Sequence, residues 1–165
     1  MKFGESGKTV LTLLAFASWL LLGVSWVMSV YAYRGLPDEM ALWTSLWSPH
    51  AVWSARSLAF FVYPVVQTVF FLACLVFAKF VFFHPSSKAG NGRLLAMKKE
   101  VAYLALIFLN LVFIHLQSSL ILVSHGLAEG INRFYFVVLV FVLLMLIPYY
   151  RVRRQMLRSG SRQAD

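Results

Sequence analysis

Four stretches of the chain are nearly unbroken runs of apolar residues, separated by short segments where prolines, glycines and charges collect. The runs cover residues 9–33, 57–83, 101–125 and 131–150. Each approaches or exceeds the ~20 residues a helix needs to cross ~30 Å of hydrocarbon. No two-residue alternation runs through them, as barrel strands would require, and a backbone in lipid must satisfy its own hydrogen bonds. The pattern therefore predicts an all-α integral membrane protein: one membrane domain over residues 1–165, with four transmembrane helices in a four-helix bundle. Val30-Tyr31-Ala32 has the look of a signal cleavage site, but its apolar run is too long for a signal peptide, and an uncleaved first helix is expected. A basic tail over 151–165 is expected to be loose beyond its first turn.

The segment between the first two runs has a different pattern. Pro37 suits the first position of a helix, Asp38 and Glu39 suit its positive end, and Pro49 would stop it. Met40, Trp43 and Trp47 recur at i, i+3 and i+7, which makes one apolar stripe on a helix. A short interfacial helix is thus predicted over 37–48. Trp43, Trp47 and Trp53 have two readings: a belt that anchors the loop at headgroup level, or a docking platform for a lipid, a peptide or a partner protein.

Charge adds the orientation. Only 13% of residues are charged, against roughly 25% in a soluble domain. Twelve of the fifteen Lys and Arg lie in the N-terminal leader, around the second connection (counting Lys79) or in the tail. The positive-inside rule then predicts cytoplasmic N- and C-termini. The net charge of +9 flanks apolar runs instead of forming a patch on a soluble face, so anionic lipid is the expected partner and nucleic acid is not. Arg93, Lys98, Lys99, Arg151, Arg153 and Arg154 are the candidate headgroup contacts.

Candidate chemistry is sparse. The third run carries Asn110, His115, Gln117, Ser118, Ser119 and Ser124, with Asn110, Gln117 and Ser124 seven residues apart on one helix face. Gln67 and Ser25 lie at similar depth in the second and first runs. These residues predict a polar layer that either joins helices by hydrogen bonds or lines a pocket, with Gln67, Asn110, His115, Gln117 and Ser118 as candidate contacts. His50, His84, His115 and His125 are spread over different depths, no zinc-ligand spacing occurs, and no metal or other cofactor is expected. None of the six acidic residues lies in the middle of a run, which argues against a proton-coupled carrier, and no nucleophile–base pairing points to an enzyme. The single cysteine, Cys74, rules out an intramolecular disulfide.

Leu36-Pro37-Asp38, Met40, Trp53, Arg56 and Pro64 together resemble the pattern of a bacterial membrane family of unknown function. That family's module forms the N-terminal part of the sporulation-delaying toxin immunity proteins. Three positions depart from the pattern: Ala41 stands where it has a second proline, Trp43-Thr44 where it has His-Trp, and Ser48 where it has glycine. The resemblance implies a first helix, an extracytoplasmic Leu-Pro loop and further helices in a bacterial cytoplasmic (inner) membrane. In the immunity branch it implies protection against a secreted membrane-active peptide and signalling of its presence. The leading expectation is accordingly a non-enzymatic sensing or protective role through the outer loop. An accessory subunit of a larger membrane complex is the alternative, and a small carrier is third.

Overall fold

The computed structural model describes residues 3–45, 50–83 and 92–162. Its elements are α1 (Phe3–Gly35), β1 (Glu39–Thr44), β2 (Ala51–Ala55), a 3-10 turn (Leu58–Phe61), α2 (Val62–Phe83), α3 (Gly92–Ser124) and α4 (Arg133–Arg162). Four helices are long and apolar enough to cross a membrane, with mean hydropathy of 2.1 or 2.2 over the spans. This is the build of a multi-pass membrane protein. Contacts fix the relative directions. Ser18 lies beside Asn110 and Ser29 beside Gln117, so α1 and α3 run parallel. Trp19 packs on Phe71, Trp26 bonds Thr68 and Tyr33 stacks on Phe60, a series that sets α2 antiparallel to α1.

α1, α3 and α4 extend beyond the apolar runs that predict them, whereas α2 starts at Val62, inside its run. α3 begins at Gly92, not Val101, so Lys98 and Lys99 lie on the helix itself. The tail expected to be loose is helical as far as Arg162. Its residues Arg151–Arg158 are mostly Arg, Gln, Met and Leu, all good helix formers, and the basic groups complement the negative helix end. The packed core is three helices, not four. α1, α2 and α3 surround the buried residues Leu22, Phe71 and Leu106. α4 leans mainly on α3: 6% of its span is buried, against 33% for α3.

In its described part, residues 37–45, the interfacial helix predicted over 37–48 is not formed; β1 there pairs with β2 as a hairpin. β1 and β2 pair antiparallel, with Met40 opposite Ser54, Ala41 opposite Trp53 and Trp43 opposite Val52. Leu46, Trp47, Ser48 and Pro49 lie outside the described residues, and Ser45 N–H donates to His50 O across them at 3.3 Å. The physical reason for the misreading is a bulge between Ala41 and Trp43. One extra residue breaks the two-residue alternation, so Met40, Ala41 and Thr44 are the buried positions of β1. That i, i+1, i+4 spacing is what a helix face shows. A helix of about 12 residues is also marginal on its own, whereas paired strands hold their hydrogen bonds locally.

Candidate functional site

Two features hold chemistry: a buried polar layer and the hairpin above it. The layer is built from α1, α2 and α3. Ser18, Ser25 and Ser29 fall on one face of α1, Gln67 comes from α2, and Asn110 and Gln117 come from α3; all six are fully buried. Ser25 Oγ lies 2.6 Å from Gln67 Oε1 and 3.1 Å from Gln117 Oε1. Gln67 Nε2 donates to Asn110 Oδ1 at 2.7 Å, and Asn110 Nδ2 donates to the Ser18 carbonyl at 2.8 Å. Gln117 Nε2 donates to Ser29 Oγ, and Ser29 Oγ–H donates to the Ser25 carbonyl at 2.6 Å. Ser25 has one proton facing two carboxamide oxygens, so it serves the nearer one, Gln67, and keeps Gln117 in reserve.

The layer holds only hydroxyls and carboxamides, none of which titrates near neutral pH. Its members spend their donors and acceptors on one another. Between helices, such bonds are worth ~0.6 kcal/mol each on average.

The expected set divides at α3. Gln67, Asn110 and Gln117 come together, but His115 and Ser118 are not with them. Two residues along a helix is a turn of about 200°, which sends His115 to the opposite side from Gln117. There its ring stacks on Tyr135 at 3.9 Å and meets Phe136 edge-on at 5.3 Å. Its Nε2 lies 3.2 Å from the Asn132 carbonyl. His115 therefore belongs to the α3–α4 contact. Ser118 is half-buried outside the network. Ser124, the third residue of the seven-residue series, reaches the hairpin instead of α1.

The hairpin is tied to the helices at several points. The Ala41 amide donates to Ser124 Oγ at 2.9 Å, and Ser124 Oγ–H donates to the Leu120 carbonyl at 2.8 Å. Gly126, at φ +68°, lets the chain reverse so that α3 ends just beyond Ser124. Tyr63 Oη donates to the Leu42 carbonyl at 2.8 Å. Arg56 Nη1 donates to the Leu36 carbonyl at 3.0 Å, and its amide donates to the Asp38 carbonyl at 2.7 Å. Leu36 and Met40 pack with Phe60 in a buried cluster. The Leu-Pro pattern thus has a mechanical account: Leu36, Met40 and Arg56 fasten the hairpin base to α1 and the start of α2.

The hairpin's other side is open. Trp43, Val52 and Trp53 are 57%, 57% and 50% exposed. The outward backbone groups of β1 at Ala41 and Leu42 are capped by Ser124 and Tyr63. With Arg56 and His50 bonded inward at either end of β2, alternation turns the backbone of Ala51, Trp53 and Ala55 away from β1. Beneath the hairpin, Thr44 Oγ1 is buried with no partner among the described residues. Trp47 lies outside the described residues, as do the side chains of Arg93, Arg153 and Arg154. Lys98 and Arg151 are exposed, and Lys99 is half-buried.

Sequence reasoning missed Ser18, Ser29 and Tyr63. The two serines had a signal: with Ser25 they recur at i, i+7 and i+11 in an otherwise apolar run, the same kind of series as on α3. Tyr63 had none, because its partner is a backbone carbonyl of a hairpin that the pattern read as helix. No family model, curated protein or solved structure matches the chain.

Proposed function

We propose that this is a non-enzymatic protein of a bacterial inner membrane, with both termini cytoplasmic, that senses or protects against membrane-active peptides through its outer hairpin. One observation carries the reading: a hairpin fastened to three helices presents Trp43, Val52 and Trp53 outward beside a strand edge. Large aromatic side chains offer much contact area at low entropy cost when the backbone beneath them is already ordered. An extended peptide can add to an open strand edge through main-chain hydrogen bonds while its side chains meet the flanking tryptophans. The resemblance of the Leu-Pro segment to the toxin immunity family favours the same class of ligand. The buried polar layer serves this role by holding the platform rigid.

The test compares cells carrying and lacking the protein during exposure to membrane-active peptides. Protection that falls when Trp43 and Trp53 are both changed to alanine supports the proposal, and superimposable killing curves sink it.

The second reading, an accessory subunit of a larger membrane complex, draws on α4. Phe134, Val137, Phe141, Leu144 and Ile147 are all exposed along it, a long apolar surface suited to lipid or to a neighbouring helix. Purification in mild detergent separates the two readings: a co-purifying chain favours the subunit, and a lone monomer argues against it.

A further inference from the structure

Two grooves run along opposite faces of α3 near its basic end. One, of about 390 Å³, lies against α4 and includes Arg151 in its lining. Tyr150, which also lines it, donates a hydrogen bond to Glu100 Oε1 at 3.2 Å. The other, of about 270 Å³, lies between α2 and α3. Lys79 from α2 and Lys99 from α3 both line it, with Leu75, Ala78, Ala102 and Leu106, and among the described residues no carboxylate does.

The shape follows from the residues. Ala78 and Ala102 are small, so the facing helices leave a slot where larger side chains would interlock. Leu106 lies seven residues from Lys99, about 10 Å along the helix. The slot is therefore basic at one end and apolar over the next two turns. Both walls belong to segments apolar enough to cross a membrane, Leu58–Phe80 and Leu95–Ser124. A lysine at such a position lays its stem along apolar surface and carries its ammonium to headgroup level.

We infer that the α2–α3 groove is a binding site for an anionic phospholipid, with one acyl chain in the Ala78–Ala102 slot and the phosphate between Lys79 and Lys99. A free anion would use the lysines but leave the apolar slot empty. A zwitterionic lipid would fill the slot but bring its own cation towards two lysines. An anionic lipid satisfies both halves, in the manner of basic pockets between transmembrane helices. Two cations from different helices also make the site depend on the packed α2–α3 pair, which distinguishes it from a general basic surface.

Native mass spectrometry of the full chain in mild detergent tests this, with phosphatidylglycerol and phosphatidylcholine of identical acyl chains as probes. The wild-type chain should retain phosphatidylglycerol by about tenfold over phosphatidylcholine. Lys79→Gln with Lys99→Gln should abolish that preference. Lys8→Gln removes the same charge from α1, outside the groove, and should keep it. Ala102→Leu fills the slot without altering either lysine and should lower retention, with an unchanged melting temperature reporting that the bundle is intact. Equal retention of the two lipids overturns the inference. So does a loss with Lys8→Gln equal to that of the double variant, which would mean general surface charge. Undiminished retention in Ala102→Leu, or a lipid-free dimer as the main species, overturns it equally.

Discussion

Replacing Gln67 with methionine removes the central link of the polar layer while keeping the side chain's length and approximate volume. Gln67 has two interhelical contacts, to Ser25 and to Asn110. Loss of both at ~0.6 kcal/mol each would cost about 1.2 kcal/mol. Ser25 recovers part of this, because its hydroxyl can turn to Gln117 Oε1 at 3.1 Å. Asn110 Oδ1 has no such reserve. Asn110 is fully buried, and an acceptor left unpaired there costs about 1–3 kcal/mol. The net expectation is destabilisation of about 1–3 kcal/mol, concentrated on the α2–α3 contact. The assay is reversible unfolding in mixed detergent micelles, followed by circular dichroism. A double-mutant cycle of Gln67→Met with Asn110→Leu should return a coupling of about 0.6–1.7 kcal/mol. Ser118→Ala, half-buried on the same helix but outside the network, should change stability by less than about 0.5 kcal/mol. A cycle with coupling near zero, or a Gln67→Met protein as stable as the parent, would refute the claim that these bonds hold the helices together.

Further expectations concern the hairpin and α4. Ser124→Ala leaves the buried Ala41 amide unpaired and should cost about 1–3 kcal/mol locally, seen as faster hydrogen exchange in β1 with α2 unchanged. Tyr63→Phe frees the Leu42 carbonyl on the same strand and should add to that effect, measured the same way. His115→Ala removes the stack on Tyr135 and should weaken the α3–α4 contact by about 0.5–1.5 kcal/mol. Peptide protection, scored by cell survival, should be untouched, because His115 lies away from the hairpin and the polar layer.

Legibility of the fold followed the strength of each physical signal. The spans were readable because apolar length is a large, simple quantity: nothing competes with a helix in lipid. The layer that joins Asn110 and Gln117 to Gln67 and Ser25 was readable because helix period and depth are both countable along a chain. His115 was placed round the shoulder of their face, but two residues from Gln117 is a turn of about 200°, which argues against that grouping. The hairpin was misread because Met40 and Trp43 fall at helical spacing although one is buried and the other exposed, while the bulge between Ala41 and Trp43 breaks the alternation by which a strand would have declared itself. The helical tail past Tyr150 was lost because basic composition was taken for disorder, although Arg, Gln, Met and Leu all favour helix once a long helix is already nucleated.

The bond between the Ala41 amide and Ser124 also constrains the order of assembly. The hairpin lies between the first two spans, yet one of its fastenings is the last residue of α3. Spans that enter a membrane in chain order leave that amide waiting until the third has crossed. Gln67 and Ser25 meet as soon as α2 joins α1, but Asn110 and Gln117 reach them on the same helix that brings Ser124. Arrival of α3 therefore brings in the last members of the buried layer and the Ser124 fastening of the hairpin on one helix, and a chain interrupted before residue 110 would have neither.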